Sequence, residues 1–175
     1  MQRRRFLSSL PALALMAGGA AAQSGAEARG PAQGGGAPEE VLGKGFSPEV
    51  FGWLGLDEGL ALARETGKPV FLLVKTDWCP HCRNYRAAFA DPRNAAFAGD
   101  YVFVMLDRDH EGDLSARLAP DGDYIPRTMI LTGRGVNRPD LAPRWFFPRY
   151  FVQDPYADNL QDYFLWLDEK RRAAG

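Results

Sequence analysis

Cysteine is nearly missing. Cys79 and Cys82 are the only two thiols in 175 residues, which excludes both a multi-disulfide mini-protein and a four-thiolate zinc site. Histidine is equally scarce, with only His81 and His110. A cationic surplus is missing too. Lys plus Arg is 21 against 22 for Asp plus Glu, so little is left over to neutralise a phosphate backbone, and nucleic acid is not an expected partner. No apolar run reaches the roughly 20 residues that a spanning helix needs. The nearest, Phe6 to Ala22, is 17 residues long and broken by Ser8, Ser9, Pro11, Gly18 and Gly19. No internal repeat is visible. What is present, 46% hydrophobic, 12% aromatic and 25% charged residues, is the composition of an ordinary globular chain with one domain.

Residues 1–22 carry Arg3, Arg4 and Arg5, then the apolar run from Phe6 to Met16, then Ala20, Ala21 and Ala22. That order predicts a secretory signal peptide cleaved after Ala22, and hence a periplasmic or secreted protein with no membrane span once processed. The arginines suit the twin-arginine route and the general secretory route alike. Removing them leaves 18 basic and 22 acidic residues, a net of −4. Residues 23–40 hold five glycines and two prolines but no aromatic or branched aliphatic side chain. Such a segment buries too little to offset its ordering entropy and is expected to be a flexible tether. Residues 41–175 remain for the folded domain.

Within that domain, Asp57 is placed as an N-cap ahead of Leu60, Leu62 and Ala63, and Gly67-Lys68-Pro69 stops the helix near Thr66. Val70 to Val74 is a continuous apolar run, the pattern of a strand buried on both faces. Pro80 suits the first turn of a second helix, which Asp91-Pro92 ends. Tyr101 to Leu106 and Thr128 to Leu131 read as further buried strands, the latter closed by Thr132-Gly133-Arg134-Gly135. Tyr150-Phe151-Val152 is expected to add an antiparallel neighbour. Tyr156, Leu160, Tyr163, Phe164 and Leu167 then mark an amphipathic C-terminal helix. Helices alternating with strands predict an α/β sandwich around four or five strands.

Trp78-Cys79-Pro80-His81-Cys82 lies between the first strand and the second helix, with one thiol at the helix start and the other a turn inside. The unsatisfied N–H groups and positive dipole end there favour a thiolate at Cys79, the expected, exposed nucleophile. Cys82 is placed to attack a mixed disulfide formed at Cys79 and release its partner.

This strand, WCPHC and helix arrangement resembles the thioredoxin superfamily, in which an isoleucine-proline supplies a cis-proline facing the cysteines; Ile125-Pro126 fits that position. Leu118-Ala119-Pro120-Asp121-Gly122-Asp123-Tyr124-Ile125-Pro126-Arg127 is similar to the anterior-gradient group of endoplasmic-reticulum thioredoxin-like proteins. The resemblance spans roughly residues 52 to 170. It implies a thioredoxin-like three-layer α/β/α sandwich with a four- or five-stranded mixed sheet. It also implies an exported thiol-disulfide oxidoreductase that acts on protein thiols and disulfides, with an unidentified redox partner and no cofactor or metal. The implied site is the Cys79–Cys82 disulfide pair with His81 and Pro126, and Trp78, Ile125 and Arg127 toward the substrate. His81 is expected to stabilise the Cys79 thiolate and so make the pair more oxidising than a cytosolic thioredoxin.

Two departures stand out. Thioredoxins place a buried aspartate six residues before the first cysteine, where this chain has Leu73; Lys75, Asp77 or water is left to move the proton of Cys82. Residues 132–149 replace a short hairpin and carry Trp145, Phe146 and Phe147, which are expected to cap the core rather than meet a partner.

Other readings fit less well. A structural disulfide between residues this near closes too small a loop to constrain the chain. Cu(I) held by the cysteines with His81 or His110 has no visible geometry for it. Asp107 to Gly112 imitates the first half of a calcium loop, but position 12 is Leu118, so a solvated acidic loop is expected instead. A non-catalytic chaperone or adaptor using the same groove is the alternative from the binding class.

Overall fold

The computed structural model describes residues 44–152 and 157–173. The expected signal peptide, the tether and Tyr156 lie outside the described residues. Helices α1 (Pro48–Phe51) and α2 (Leu56–Thr66) lead into β1 (Val70–Lys75). Helices α3 (Pro80–Ala90) and α4 (Pro92–Ala95), β2 (Val102–Asp107), α5 (Gly112–Arg117), β3 (Arg127–Leu131) and α6 (Ala157–Ala173) follow, with a 3-10 turn at Pro139–Leu141. The alternation of helix and strand is the one the sequence predicts.

β1 is central, flanked in parallel by β2 and antiparallel by β3. All six of its residues are buried, the five from Val70 to Val74 as their unbroken apolar run requires. Side chains alternate across the sheet. Phe71, Leu73, Phe103, Met105 and Ile130 share a cluster with Tyr85 and Phe89 of α3 and Leu160 and Phe164 of α6. Val70, Leu72, Val74, Val104 and Leu106 meet Ala63 of α2 on the other side. The result is a three-layer α/β/α sandwich with a mixed sheet.

The described sheet has three strands, not four or five. Its edges are single bridges: Leu54 beside Val104, and Asn137 beside Leu131. Tyr150 accepts one bond from the Thr128 amide at 2.6 Å, yet Tyr150-Phe151-Val152 forms no strand. Its own donors explain why. The Tyr150 amide bonds the Tyr124 hydroxyl and the Val152 amide bonds the Tyr85 hydroxyl, so neither enters a ladder. A second correction concerns α2, which is capped by Gly55 with Asp57 inside the first turn. There its carboxylate still meets the positive end of the helix.

Gly59 is where α2 closes on the sheet: a Cβ there would lie 2.2 Å from Val104 Cγ2. Gly59→Ala should therefore destabilise the domain by about 1–3 kcal/mol despite alanine's better helix propensity. Urea unfolding at wild-type midpoint would show that α2 has room to move.

Candidate functional site

The end of β1 and the start of α3 position the two thiols. Cys79 is the N-cap of α3, in extended conformation, and Pro80 follows at N1, where a missing N–H costs nothing. Cys82 sits inside the first turn. Both cysteines are free thiols. The Cys79 sulfur lies 3.9 Å from the Ile125 carbonyl, and the Ile125-Pro126 bond is cis, as expected. A second cis bond, Phe147-Pro148, carried no sequence signal we recognised.

Cys79 is 3% exposed and Cys82 1%, so the expected open nucleophile is instead covered along with its neighbour. The thiols differ in surroundings rather than in exposure. Burial pushes the Cys82 thiol up to about 12, while a hydrogen bond from the Thr76 backbone and the Lys75 charge act in the opposite direction.

Beneath Cys82 lies an ion pair. Lys75, 2% exposed, donates to Asp107, 3% exposed, and to Asp77 Oδ1 at 3.0 Å. Asp77 also takes Arg86 at 2.7 Å. Burial alone would raise the Asp107 carboxyl, but the Lys75 ammonium, the Asp109 amide and His110 hold it below the usual carboxylate value. Leu73 lies in the core, so the charged group near Cys82 has moved two residues along β1. Lys75 was legible in the sequence; Asp107 was not. Its signal was an aspartate ending an otherwise apolar strand opposite Lys75 in register. The expected solvated loop from Asp107 to Gly112 is thus corrected at two positions: Asp107 is 3% exposed and Glu111 8%.

The remaining candidates divide. Trp78 is 61% exposed and held by an indole bond to Asp109 Oδ2 at 2.8 Å, with Arg83 on its carbonyl. Ile125 contributes its backbone beside Cys79. His81 is exposed and meets Phe151 edge-on at 5.5 Å, and among the described residues it makes no hydrogen bond to either cysteine. Arg127 is corrected outright. It is wholly buried and donates to the carbonyls of Leu118, Tyr124 and Ser115 at 2.9, 2.9 and 2.7 Å. It holds the loop before Pro126 from inside and does not face a substrate. Among the described residues no group of three or more His, Cys, Asp and Glu side chains is arranged to hold a metal ion. Nor is any helix there long and apolar enough to cross a membrane.

A thioredoxin-like family model matches residues 52–133. Mouse anterior gradient protein 3 is 26% identical over 136 residues, 78% of this chain and 78% of its own. Human anterior gradient protein 3 is 27% identical over 118 residues, 67% of this chain and 70% of its own. Human anterior gradient protein 2 homolog is 26% identical over 134 residues, covering 77% and 72%. A disulphide isomerase from Xylella fastidiosa Temecula1 shares the fold with a TM-score of 0.52 at 21% identity, over 64% of this chain and 87% of that one. With two thiols at the start of α3, a cis-proline segment against the first of them and this set of relatives, the chain has a thioredoxin-like fold and is similar to the anterior-gradient group of thioredoxin-like proteins.

Proposed function

We propose that the protein is an exported thiol-disulfide oxidoreductase that exchanges disulfides with protein cysteines through Cys79 and Cys82. The observation that carries this reading is the Cys79 sulfur at the N-terminus of α3, 3.9 Å from the carbonyl of a cis-proline segment. In the reducing direction the Cys79 thiolate attacks one sulfur of a substrate disulfide. The other substrate sulfur leaves as a thiolate and takes a proton. Cys82, on losing its own proton, attacks the Cys79 sulfur and expels the second substrate thiol. The substrate gains two electrons and two protons, and the protein is left with a Cys79–Cys82 disulfide. The oxidising direction is the reverse. The dithiol carries the electrons, so the cycle calls for no bound cofactor.

Residues 1–22 are the proposed signal peptide and 23–40 the proposed tether. Cys82→Ser expressed in the native host tests the whole reading at once. The mixed disulfide should persist in the exported fraction on a chain beginning at Gln23. Recovery only of cytosolic protein retaining Met1 would remove export. Absence of any adduct would favour the adaptor reading, which the burial of both sulfurs supports. Insulin reduction separates the two.

The placement of His81 revises one expectation. With its ring exposed and against Phe151, its effect on Cys79 is screened by solvent. His81→Gly should therefore shift the redox potential by less than about 30 mV, the equivalent of about 1.4 kcal/mol. A glutathione equilibrium displaced further would show that the ring does act on the sulfur.

A further inference from the structure

The segment expected to cap the core does the opposite. Trp145 is 86% exposed, Phe146 44% and Phe147 67%. Three neighbouring aromatics facing water form an apolar patch that ordinary surfaces avoid. The ridge is built rather than loose. Trp145 and Phe146 pack edge-to-face at 5.2 Å, the Arg144 guanidinium lies 4.0 Å over the Phe146 ring, and Phe147 meets Tyr124 edge-on at 5.8 Å.

Its position ties it to the exchange site from two directions. Tyr124, under Phe147, immediately precedes the Ile125 carbonyl that faces Cys79. At the other end of the same stretch Phe151 packs against His81, two residues from Cys79. A cleft of about 380 Å³ opens behind Trp145 and Phe146 against α6, with Val152, Tyr163 and Trp166 among its walls.

The charge of the segment is mainly positive. Residues 132–149 hold four arginines against the single Asp140, a net of +3 in a chain whose total is −1. Asp140 pairs with Arg138 and Arg134 lies in a turn whose glycines pack on α2, leaving Arg144 and Arg149 as the local excess beside the ridge. Asp121, below the ridge, is engaged by the Tyr124 hydroxyl and the Arg149 amide. Asp162 lines the wall of the cleft.

We infer that the Trp145-Phe146-Phe147 ridge and the cleft behind it dock an extended polypeptide bearing an aromatic side chain and carboxylates near its reactive cysteine. This deepens the exchange reading and rests on it. The aromatic side chain enters the cleft, the carboxylates meet the arginines, and the chain runs on toward Ile125 and Cys79. A membrane surface would also use aromatics and arginines, but contact with the cis-proline segment at one end and His81 at the other favours a substrate of the thiols.

The test uses the reduced mature chain and a fluorescein-labelled, cysteine-free peptide carrying tryptophan and glutamates. Anisotropy should show binding that weakens about tenfold or more in Trp145→Ser/Phe147→Ser. In wild type it should weaken when lysines replace the glutamates, and with added salt. The second comparison needs no variant. Equal affinity in wild type and variant, or for both peptides, overturns the inference. So does binding to phosphatidylglycerol vesicles with none to the peptide, or a dimer that the variant abolishes while peptide binding is unchanged. Turnover of glutathione disulfide, too small to need the ridge, reads the exchange chemistry separately. Its absence in wild type would overturn the exchange reading, while the cysteine-free peptide still decides the docking.

Discussion

Cys79→Ser is expected to reduce insulin turnover by about a thousandfold or more, because no second group can take over as nucleophile. Cys82 is the only other thiol, and it is 1% exposed. Burial, the largest cause of its raised thiol, remains in this variant, so at neutral pH the thiolate that exchange requires is scarce. Serine itself is too weak an acid to substitute. Cys82→Ser should behave differently. The first attack by Cys79 proceeds, but the mixed disulfide then lacks the thiolate one turn inside α3 that would release it. The measurement is a pair: steady-state insulin reduction for both variants, and the adduct each retains under non-reducing conditions. Full turnover by Cys79→Ser, or an adduct retained through position 82, would reverse the assigned roles.

The sequence disclosed what depends on local pattern. Val70 to Val74 is apolar throughout because β1 has neighbours on both edges and helices on both faces, and that run was readable without coordinates. Cys79 and Pro80 mark the start of α3 because a helix N-terminus tolerates a missing N–H, which is also a local rule. What was hidden depends on where other chain segments deliver their hydrogen bonds. Tyr150 to Val152 has the composition of a strand, yet two of its amides are taken by the hydroxyls of Tyr124 and Tyr85, from 26 and 67 residues away. Arg127, beside the cis-proline, looked like a groove residue; its partners at Ser115 and Leu118 place it inside. Trp145 to Phe147 looked like core, since composition does not say which side of an apolar side chain faces water.

Lys75→Met is expected to have the second-largest effect, and it should act twice. The buried Asp107 carboxylate would lose its ammonium partner, and removing one member of a buried ion pair costs about 3–5 kcal/mol. Cys82 would lose the cation that offsets part of its burial, so its thiol should rise further and resolution of the mixed disulfide should slow. A second variant separates stability from chemistry. In Lys75→Met/Asp107→Leu no unpaired charge remains, and well-packed apolar replacements of buried pairs are often neutral or stabilising. Urea unfolding should return toward wild type while resolution, followed by stopped flow, stays slow and its rise with pH moves to more alkaline values. A double variant that resolves at the wild-type rate would reduce Lys75 to a structural role. The wild-type protein supplies a check of sign. Folding raises the Cys82 thiol from 9.0 to about 12, so above pH 9 the unfolded chain releases a proton that the folded one keeps. Reduced protein should lose stability as pH rises from about 9 to about 12. Asp107 acts at the other end. Its carboxyl is lowered on folding, so its contribution is present above the unfolded value and is lost as acid carries the pH down through the folded one. Replacing Cys82 by serine should remove the part of the alkaline loss that begins near pH 9 and leave the part due to Tyr85, Tyr101, Tyr124 and Tyr163, whose hydroxyls burial also raises; the acid slope stays in place.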